Sequence, residues 1–260
     1  MDKLIRWKEI VHNFNANDYI PLIHDFTWSM PTVTIIIYIL IVYYGPSWMK
    51  YREKMERSLW LWNLFMSFVS AILFIGMVLP CASFALKKGV FEIICLPRGE
   101  LYRGSQFFWA WIYALTKYIE LLDTVFVVLR KRKITFLHYY HHITVLLYTW
   151  FTLVSLPGGS GFIFSVMNSG VHSLMYFYYY LSHAGYRPSW GQIITVIQLL
   201  QMVAGVIISA LWWYFYVTTD DCNCAHPYFY IIISFALYGS YFILFLQFYL
   251  NRYFRKRKMN

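Results

Sequence analysis

The chain has 260 residues, of which 60% are hydrophobic and only 13% are charged, with a net charge of +10. Soluble domains carry about 25% charged residues, so this composition excludes an ordinary soluble protein and indicates an integral membrane protein. The positive charge does not indicate nucleic-acid binding, because the basic residues lie beside apolar segments, where they orient a chain in the membrane.

Seven apolar segments are long enough for membrane-spanning helices, which need about 20 mostly apolar residues. Their predicted bounds are 31–48, 60–83, 106–129, 134–154, 161–182, 191–217 and 228–250. The connections between them are short, and the alternating pattern of β-barrel strands is absent. We therefore predict one all-α domain over residues 1–260, a bundle of seven membrane-spanning helices.

The distribution of Lys and Arg predicts the orientation of this bundle. The loops on the side of the C-terminus carry fourteen of these residues, whereas the loops on the opposite side carry seven. Cytoplasmic loops are enriched in basic residues. We therefore expect the C-terminus in the cytosol and the N-terminus in a lumen or outside the cell.

The third predicted span contains three ionisable residues, Lys117, Glu120 and Asp123, at intervals of three. This spacing places them within an arc of about 120° on one face of a helix. Because charged groups inside a membrane must be paired, one interpretation is a structural ion-pair cluster that ties helices together. The alternative is that these residues position or activate groups in a polar cavity.

The fourth predicted span contains three histidines, His138, His141 and His142, between apolar residues. On a helix they fall within an arc of about 100° and therefore point toward one cavity. Ionisable groups within a membrane span are costly and face the interior of a bundle, so they indicate a functional site.

Two further polar stripes lie in the fifth and sixth spans. The fifth span carries Asn168, His172 and Tyr176 at intervals of four, and the sixth carries Thr195, Gln198 and Gln201 at intervals of three. Either stripe alone is typical of hydrogen bonding between helices. Because so many polar groups cannot all face lipid, we predict that the stripes and the histidines converge on one polar chamber.

The His-x-x-His-His cluster is compatible with two kinds of chemistry. Membrane di-iron desaturases and hydroxylases use boxes of this spelling, but such a site needs about eight histidines. The chain has eight histidines in all, and four lie in the predicted polar core, so a metal site is disfavoured. The other chemistry is acyl transfer from a thioester, with imidazole as nucleophile and general base. A seven-span receptor or transporter stays open on topology alone, although interrupted helices typical of a transport site are lacking.

The motifs of the polar spans resemble, in order and spacing, those of the ELO family, the very-long-chain fatty acid elongases. They are Lys117-x-x-Glu120-x-x-Asp123-Thr124, His138-x-x-His141-His142, Asn168-x-x-x-His172-x-x-Met175-Tyr176-x-Tyr178-Tyr179 and Thr195-x-x-Gln198-x-x-Gln201. The residues around the histidines, Phe136 to Tyr148, are most similar to the branch that acts on saturated and monounsaturated chains of palmitate length.

The resemblance implies a 3-ketoacyl-CoA synthase of the endoplasmic reticulum, a seven-helix bundle that encloses an acyl-CoA tunnel. Such an enzyme condenses a long-chain acyl-CoA with malonyl-CoA, through an acyl-histidine intermediate and without a metal or redox cofactor. Its expected partners are membrane lipid and the reductases and dehydratase of the elongation cycle. A homodimer with a second copy of the chain is a further expected assembly.

The resemblance also implies roles for individual residues. His141 is the expected nucleophile, His172 lies near the reacting carbonyl, and His138 and His142 complete the box. The chamber is expected to be lined or ordered by Lys117, Glu120, Asp123, Asn168, Tyr176, Gln198 and Gln201.

The basic run Arg130–Lys133 lies one helical turn before His138, at the predicted cytosolic edge. Guanidinium and ammonium groups bind phosphate, so Lys131, Arg132 and Lys133 are candidate ligands of the CoA phosphates. The alternative is a membrane anchor that follows from the orientation rule. The acyl tail would then extend toward the lumen, where bulky residues would set its maximum length.

The cysteines fit this topology. Cys95 lies between the second and third spans, and Cys222 and Cys224 lie between the sixth and seventh, so all three are assigned to the oxidising lumen. We predict that Cys95 bonds one of the other two, with Cys222 favoured; free thiols are the alternative. The C-terminal residues 256–260 resemble a dilysine-type retrieval signal, or else form a basic anchor, and residues 157–161 are predicted to form a tight turn between helices.

Overall fold

The computed structural model describes residues 11, 13–14, 29–51, 54–95, 104–155, 160–220, 222 and 227–254. Within these ranges the regular elements are all helical. Their bounds are α1 Ser29–Trp48, α2 Glu56–Lys88, α3 Val90–Ile94, α4 Ser105–Glu120, α5 Leu122–Leu129, α6 Phe136–Ser155, α7 Ser160–His183, α8 Gly191–Thr218 and α9 Pro227–Tyr253.

The predicted class of an all-α membrane protein is confirmed. In the part of the chain that the structure describes, four helices are long and apolar enough to cross a membrane, by length and composition: Ser29–Trp48, Glu56–Lys88, Gly191–Thr218 and Tyr228–Tyr253. The other predicted spans coincide with α4 and α5, α6, and α7, which carry the ionisable and polar motifs and are therefore less apolar. The count of seven spans stays a prediction.

The third predicted span differs from expectation because its helix is interrupted. Helix α4 ends at Glu120 and α5 begins at Leu122. At the junction, the backbone N–H of Leu121 donates to the Tyr118 carbonyl and that of Thr124 donates to the Leu121 carbonyl, at 3.3 and 3.1 Å. These are the tighter i to i+3 turns that often mark a functional position within a helix. Two expectations are therefore corrected: that Lys117, Glu120 and Asp123 share one continuous helix face, and that interrupted helices are lacking.

Six helical segments pack into a closed ring. Helix α2 packs against α7 and α4, α7 packs against α8, α8 against α9, α9 against α6, and α6 against α4. Gly205 of α8 permits close packing, since a Cβ there would overlap the ring of Tyr238 on α9. The polar motifs of α4 to α8 therefore have an enclosed space to share.

Helix α1 lies beside this ring, against α5 and α6. Its buried residues, Pro31, Tyr38 and Gly45, are seven apart and form one narrow face. At Gly45 a Cβ would lie 2.9 Å from a methyl group of Val128, so the glycine brings α1 close to α5. The rest of α1 is largely exposed and apolar, as expected for a surface that faces lipid.

One end of the ring is tied by the Cys95–Cys222 disulfide, which connects the segment after α3 to the segment after α8. The two cysteines belong to a buried cluster with Ile94, Trp212 and Ile231. The structure therefore contains the favoured predicted pairing. Cys224, the retrieval signal at 256–260 and residues 157–159 of the predicted turn lie outside the described residues, and residues 160–161 already belong to α7.

Candidate active site

A cavity of about 410 Å³ lies between α2, α5, α6, α7, α8 and α9. Ten of the residues proposed from sequence line it: Asp123, Arg132, His138, His141, His142, Asn168, His172, Tyr176, Gln198 and Gln201. The polar stripes of separate helices thus face one chamber. Lys117 and Glu120 lie beside it and connect to it through hydrogen bonds.

Lys117 and Glu120 form a buried ion pair, each only 3% exposed. The Lys117 Nζ donates to Glu120 Oε1 at 2.6 Å and to Asn168 Oδ1 at 2.9 Å. The Tyr113 hydroxyl donates to the same Asn168 oxygen at 2.9 Å. Because charges taken out of water must be paired and hydrogen-bonded, this network fixes the relative positions of α4 and α7.

The Glu120 carboxylate also faces a histidine, since its Oε1 lies 3.4 Å from Nδ1 of His172. Nδ1 of His172 is buried and makes no hydrogen bond to a described residue, so the carboxylate faces the ring without bonding to it. The other ring nitrogen, Nε2, is then left for the cavity that His172 lines. His172 therefore presents an imidazole edge to the cavity, with the Glu120 carboxylate behind its ring.

Asp123 has different partners from Glu120, although the two are only three residues apart. Its Oδ1 accepts a hydrogen bond from Trp62 Nε1 on α2, and its Oδ2 accepts one from the Tyr176 hydroxyl on α7, both at 2.6 Å. Both carboxyl oxygens of Asp123 are thus bonded to aromatic side chains of other helices. On either side of the interruption at Leu121, Glu120 thus lies beside His172, and Asp123 connects α5 to α2 and α7.

The three histidines of α6 are neighbours with unequal surroundings. The ring centroids of His138 and His142 are 4.6 Å apart, and those of His141 and His142 are 5.7 Å apart. His138 Nε2 lies 2.8 Å from Thr124 Oγ1. No described residue makes a hydrogen bond to a ring nitrogen of His141, which packs against Tyr241 with ring centroids 5.1 Å apart.

A second cavity of about 50 Å³ lies toward the disulfide end. It shares four lining residues with the larger cavity, namely His141, Asn168, Gln201 and Met202. Its other walls come from the disulfide-side parts of α6, α7 and α9, including Tyr148, Phe164 and Tyr238. His141 is thus the box histidine that faces both spaces.

The basic run reaches the cavity only in part. Arg130 and Arg132 line it. Lys131, which has a left-handed φ of 49°, directs its Nζ toward the Lys50 carbonyl at 3.4 Å, and Lys133 is not among the lining residues. Of the predicted phosphate ligands, the structure therefore brings Arg132 to the chamber together with Arg130.

Several residues of the site carried no signal in the sequence. Trp62, Tyr241 and Phe245 contact the motif residues directly, but aromatic residues in an apolar span are indistinguishable from those that face lipid. Among the described residues no group of three or more His, Cys, Asp or Glu is arranged to hold a metal ion.

Comparison with known proteins identifies the family. The ELO family model, described as the GNS1/SUR4 family, matches residues 24–260. This chain belongs to the ELO family. Similar proteins include "Very long chain fatty acid elongase 3" of Homo sapiens, 34% identical over 95% of this chain and 91% of the relative. They also include "Very long chain fatty acid elongase 6" of Mus musculus, 34% identical over 96% of this chain and 94% of the relative.

The ELO relatives extend to insects. "Very long chain fatty acid elongase 6" of Drosophila melanogaster is 36% identical over 84% of this chain and 70% of its own length. The family match begins before α1 and includes every helix described above. The expected resemblance to the ELO family is therefore confirmed.

Proposed function

We propose that this ELO family member is the condensing enzyme of fatty acid elongation, a 3-oxoacyl-CoA synthase that joins a long-chain acyl-CoA to malonyl-CoA. The observation that carries this proposal is that His141 of α6 and His172 of α7, two helices that face each other across the ring, line one cavity. Imidazole nucleophiles and bases suit thioester chemistry near neutral pH. A carboxylate behind His172 supports its use as a proton carrier.

In the first half-reaction, a ring nitrogen of His141 attacks the carbonyl carbon of the acyl thioester. The C–S bond breaks, the CoA thiolate leaves, and the acyl group is held on the imidazole nitrogen. The proton lost from the His141 ring is transferred to the leaving sulfur. His172 lies on the facing helix with its Nε2 directed to the chamber and is the expected carrier of that proton.

In the second half-reaction, malonyl-CoA loses carbon dioxide, and the electron pair of the broken C–C bond forms a carbanion equivalent beside its thioester. This carbon attacks the carbonyl of the acyl-imidazole, so that the new C–C bond forms and the bond between the carbonyl carbon and the imidazole nitrogen breaks. A proton from solvent, delivered through His172, then restores the neutral ring of His141. The products are 3-oxoacyl-CoA, carbon dioxide and CoA. Decarboxylation drives the step, so the proposed chemistry needs no cofactor.

The charge distribution supports one direction for the substrate. Arg130 and Arg132 line the large cavity at the end remote from the disulfide, where they suit the phosphates of CoA. The small cavity on the other side of His141 suits the first carbons of an acyl tail that extends toward the disulfide. The reacting carbonyl would then lie at His141, between the two spaces.

The excess of basic residues on the C-terminal side supports a C-terminus in the cytosol and an N-terminus in the lumen. The proposed membrane is that of the endoplasmic reticulum, as the resemblance to the family implies. A lumenal position of the segments that carry Cys95 and Cys222 also agrees with the disulfide between them, because the lumen is oxidising. The 3-oxoacyl product would require reduction, dehydration and a second reduction, so reductases and a dehydratase are the expected partners.

The test uses purified protein with palmitoyl-CoA and radiolabelled malonyl-CoA. We expect 3-oxoacyl-CoA from the wild-type protein and none above background from His141→Ala. With acyl-CoA alone, mass spectrometry should find an acyl group on the 136–155 peptide and free CoA in solution. His183→Ala, a histidine at the remote end of the same cavity, should still form the adduct at saturating acyl-CoA.

Other outcomes would contradict the proposal in different ways. Product without an adduct would retain the reaction and replace the covalent intermediate by a ternary complex. Bound iron with an oxygen-dependent product would favour a desaturase. Absence of any product from either assay would leave a receptor or transporter.

A further inference from the structure

Helix α1 supplies one polar group to the interior of the protein. Tyr38 is only 2% exposed, and its hydroxyl lies 2.8 Å from Thr124 Oγ1 on α5. The same Oγ1 lies 2.8 Å from Nε2 of His138 on α6. Two hydroxyl groups thus connect the helix outside the ring to a histidine of the reaction chamber.

Counting protons gives these two hydrogen bonds a direction. The Thr124 hydroxyl has one proton and can donate it either to Tyr38 or to His138. If it donates to Tyr38, the proton of Tyr38 has no other acceptor among the described residues, and an unpaired buried donor is strongly disfavoured. If Tyr38 donates to Thr124 and Thr124 donates to Nε2 of His138, both hydroxyl protons have an acceptor.

The second arrangement fixes the state of the imidazole. Neutral histidine carries its proton on one ring nitrogen, and the nitrogen that accepts a hydrogen bond is the one without it. With Nε2 accepting from Thr124, the proton of His138 is on Nδ1. No described residue is hydrogen-bonded to Nδ1, which leaves this N–H available to the cavity that His138 lines.

We infer that Tyr38 and Thr124 are positioning residues that hold His138 in the Nδ1–H tautomer, so that His138 offers the chamber a hydrogen-bond donor and not a base. This inference rests on the proposed function, because it assigns the donor to the thioester carbonyl. During attack by His141 the carbonyl oxygen gains negative charge, and the fixed N–H of His138 stabilises it without giving up its proton.

The inference gives each histidine of the chamber a different role, which the sequence alone does not distinguish. His141 has no hydrogen-bond partner on its ring nitrogens among the described residues and is left as nucleophile. His172 has the Glu120 carboxylate beside it and carries protons. His138 has neutral hydroxyl groups, which set a tautomer without stabilising a charge.

The direct test is the tautomer of His138 in the resting protein. In lipid nanodiscs with ¹³C,¹⁵N-labelled histidine, the His138 signals are assigned by their loss in His138→Gln. We expect the Nδ1–H form in the wild-type protein and an Nε2–H form or a mixture in Thr124→Val. An Nε2–H signal in the wild-type protein would overturn the inference.

Kinetics test whether Tyr38, Thr124 and His138 act together as one hydrogen-bonded relay. Tyr38→Phe keeps the ring and should lower kcat about fivefold, as expected for one neutral hydrogen bond, with KM for acyl-CoA within about twofold. Thr124→Val should lower kcat about 10–100-fold, the usual cost of losing a residue that orients a reactive group, and Thr124→Ser should restore most of it. Tyr38→Phe should have no further effect in the Thr124→Val background.

Matched controls separate this effect from general disturbance of α1. Tyr43→Phe makes the same change on the same helix at a side chain that is 67% exposed, and it should leave kcat unchanged. Independent, additive losses, or an effect on KM alone, would show a structural role and refute the relay. If Thr124→Val does not fold, Tyr38→Phe and Thr124→Ser still decide the question by their tautomer and kcat.

The two proposals fail separately. A wild-type protein that makes no product with malonyl-CoA would refute the proposed function, whereas the tautomer measurement needs no turnover. Normal turnover together with an unaffected Tyr38→Phe and an Nε2–H tautomer would refute the relay alone.

Discussion

The two ends of the helix ring differ in what fills them. At the end near the last turn of α7, a cavity of about 410 Å³ is lined by histidines, amides and two arginines. At the opposite end, Ile94, Trp212 and Ile231 have no exposed surface and pack around the Cys95–Cys222 disulfide. One end is therefore open to polar molecules, and the other is closed by apolar side chains.

This difference fits a substrate that has a charged head and an apolar tail. The open end keeps its buried charges by pairing them, as Lys117 and Glu120 are paired. The closed end has the disulfide and aromatic packing in place of charges. Changes at the two ends should accordingly have different consequences, which the following predictions compare.

The largest effect is expected from breaking the ion pair beside the open end. Lys117→Met leaves the Glu120 carboxylate buried without its cation, which should cost about 3–5 kcal/mol of stability and abolish turnover. Thermal unfolding in detergent and the condensation assay measure both. The double variant with Glu120→Gln should recover most of the stability but little activity, because in it His172 loses the carboxylate of Glu120.

That double variant makes the prediction vulnerable. A double variant as unstable as Lys117→Met would mean that packing, and not charge, holds α4 in place. Full activity in Lys117→Met/Glu120→Gln would mean that the contact between Glu120 and His172 has no part in the reaction.

The next effect concerns the closed end. Cys95→Ser together with Cys222→Ser removes a link between residues 127 apart in sequence, which should cost about 2–4 kcal/mol. Well below the unfolding temperature, kcat with palmitoyl-CoA should stay near the wild-type value, because the proposed chemistry takes place in the large cavity, away from the disulfide. Unfolding with and without reductant measures the loss, and Cys81→Ser is the control at a free thiol.

The helices of the closed end and the outer surface were the easiest part of the fold to predict. The predicted spans 191–217 and 228–250 compare with Gly191–Thr218 and Pro227–Tyr253, because an uninterrupted apolar run must form a helix in lipid. The break at Leu121 had no such signal. No Gly or Pro marks it, and the tertiary contacts of Glu120 with His172 and of Asp123 with Trp62 accompany it.

The candidate site was predictable where residues are costly in a membrane. Histidines and charges within spans must face an interior, and the structure brings His138, His141 and His172 to one chamber. Tyr38 and Tyr241 could not be found in this way, because a tyrosine on an apolar helix is equally at home in lipid. Which tyrosine faces inward depends on helix packing that sequence periodicity alone does not fix.

The smallest and most selective effect is expected between the two ends, at Tyr238. Its ring lines the small cavity, lies 4.7 Å from that of Phe164 between centroids, and rests against Gly205. Tyr238→Ala should open this space toward the closed end and shift the preferred acyl-CoA to chains longer by about two carbons. The rate with shorter chains should change little. Tyr238→Phe keeps the ring and is the matched control.

A chain-length series with purified enzyme measures this shift. Gly205→Ala provides the opposite change, because its new methyl group must push the Tyr238 ring aside, toward the small cavity, and should disfavour the longest substrates. If Tyr238→Ala and Gly205→Ala change the rate equally for all chain lengths, the acyl tail does not pass Tyr238. The closed end would then be only a structural cap, and chain length would have to be limited within the large cavity itself.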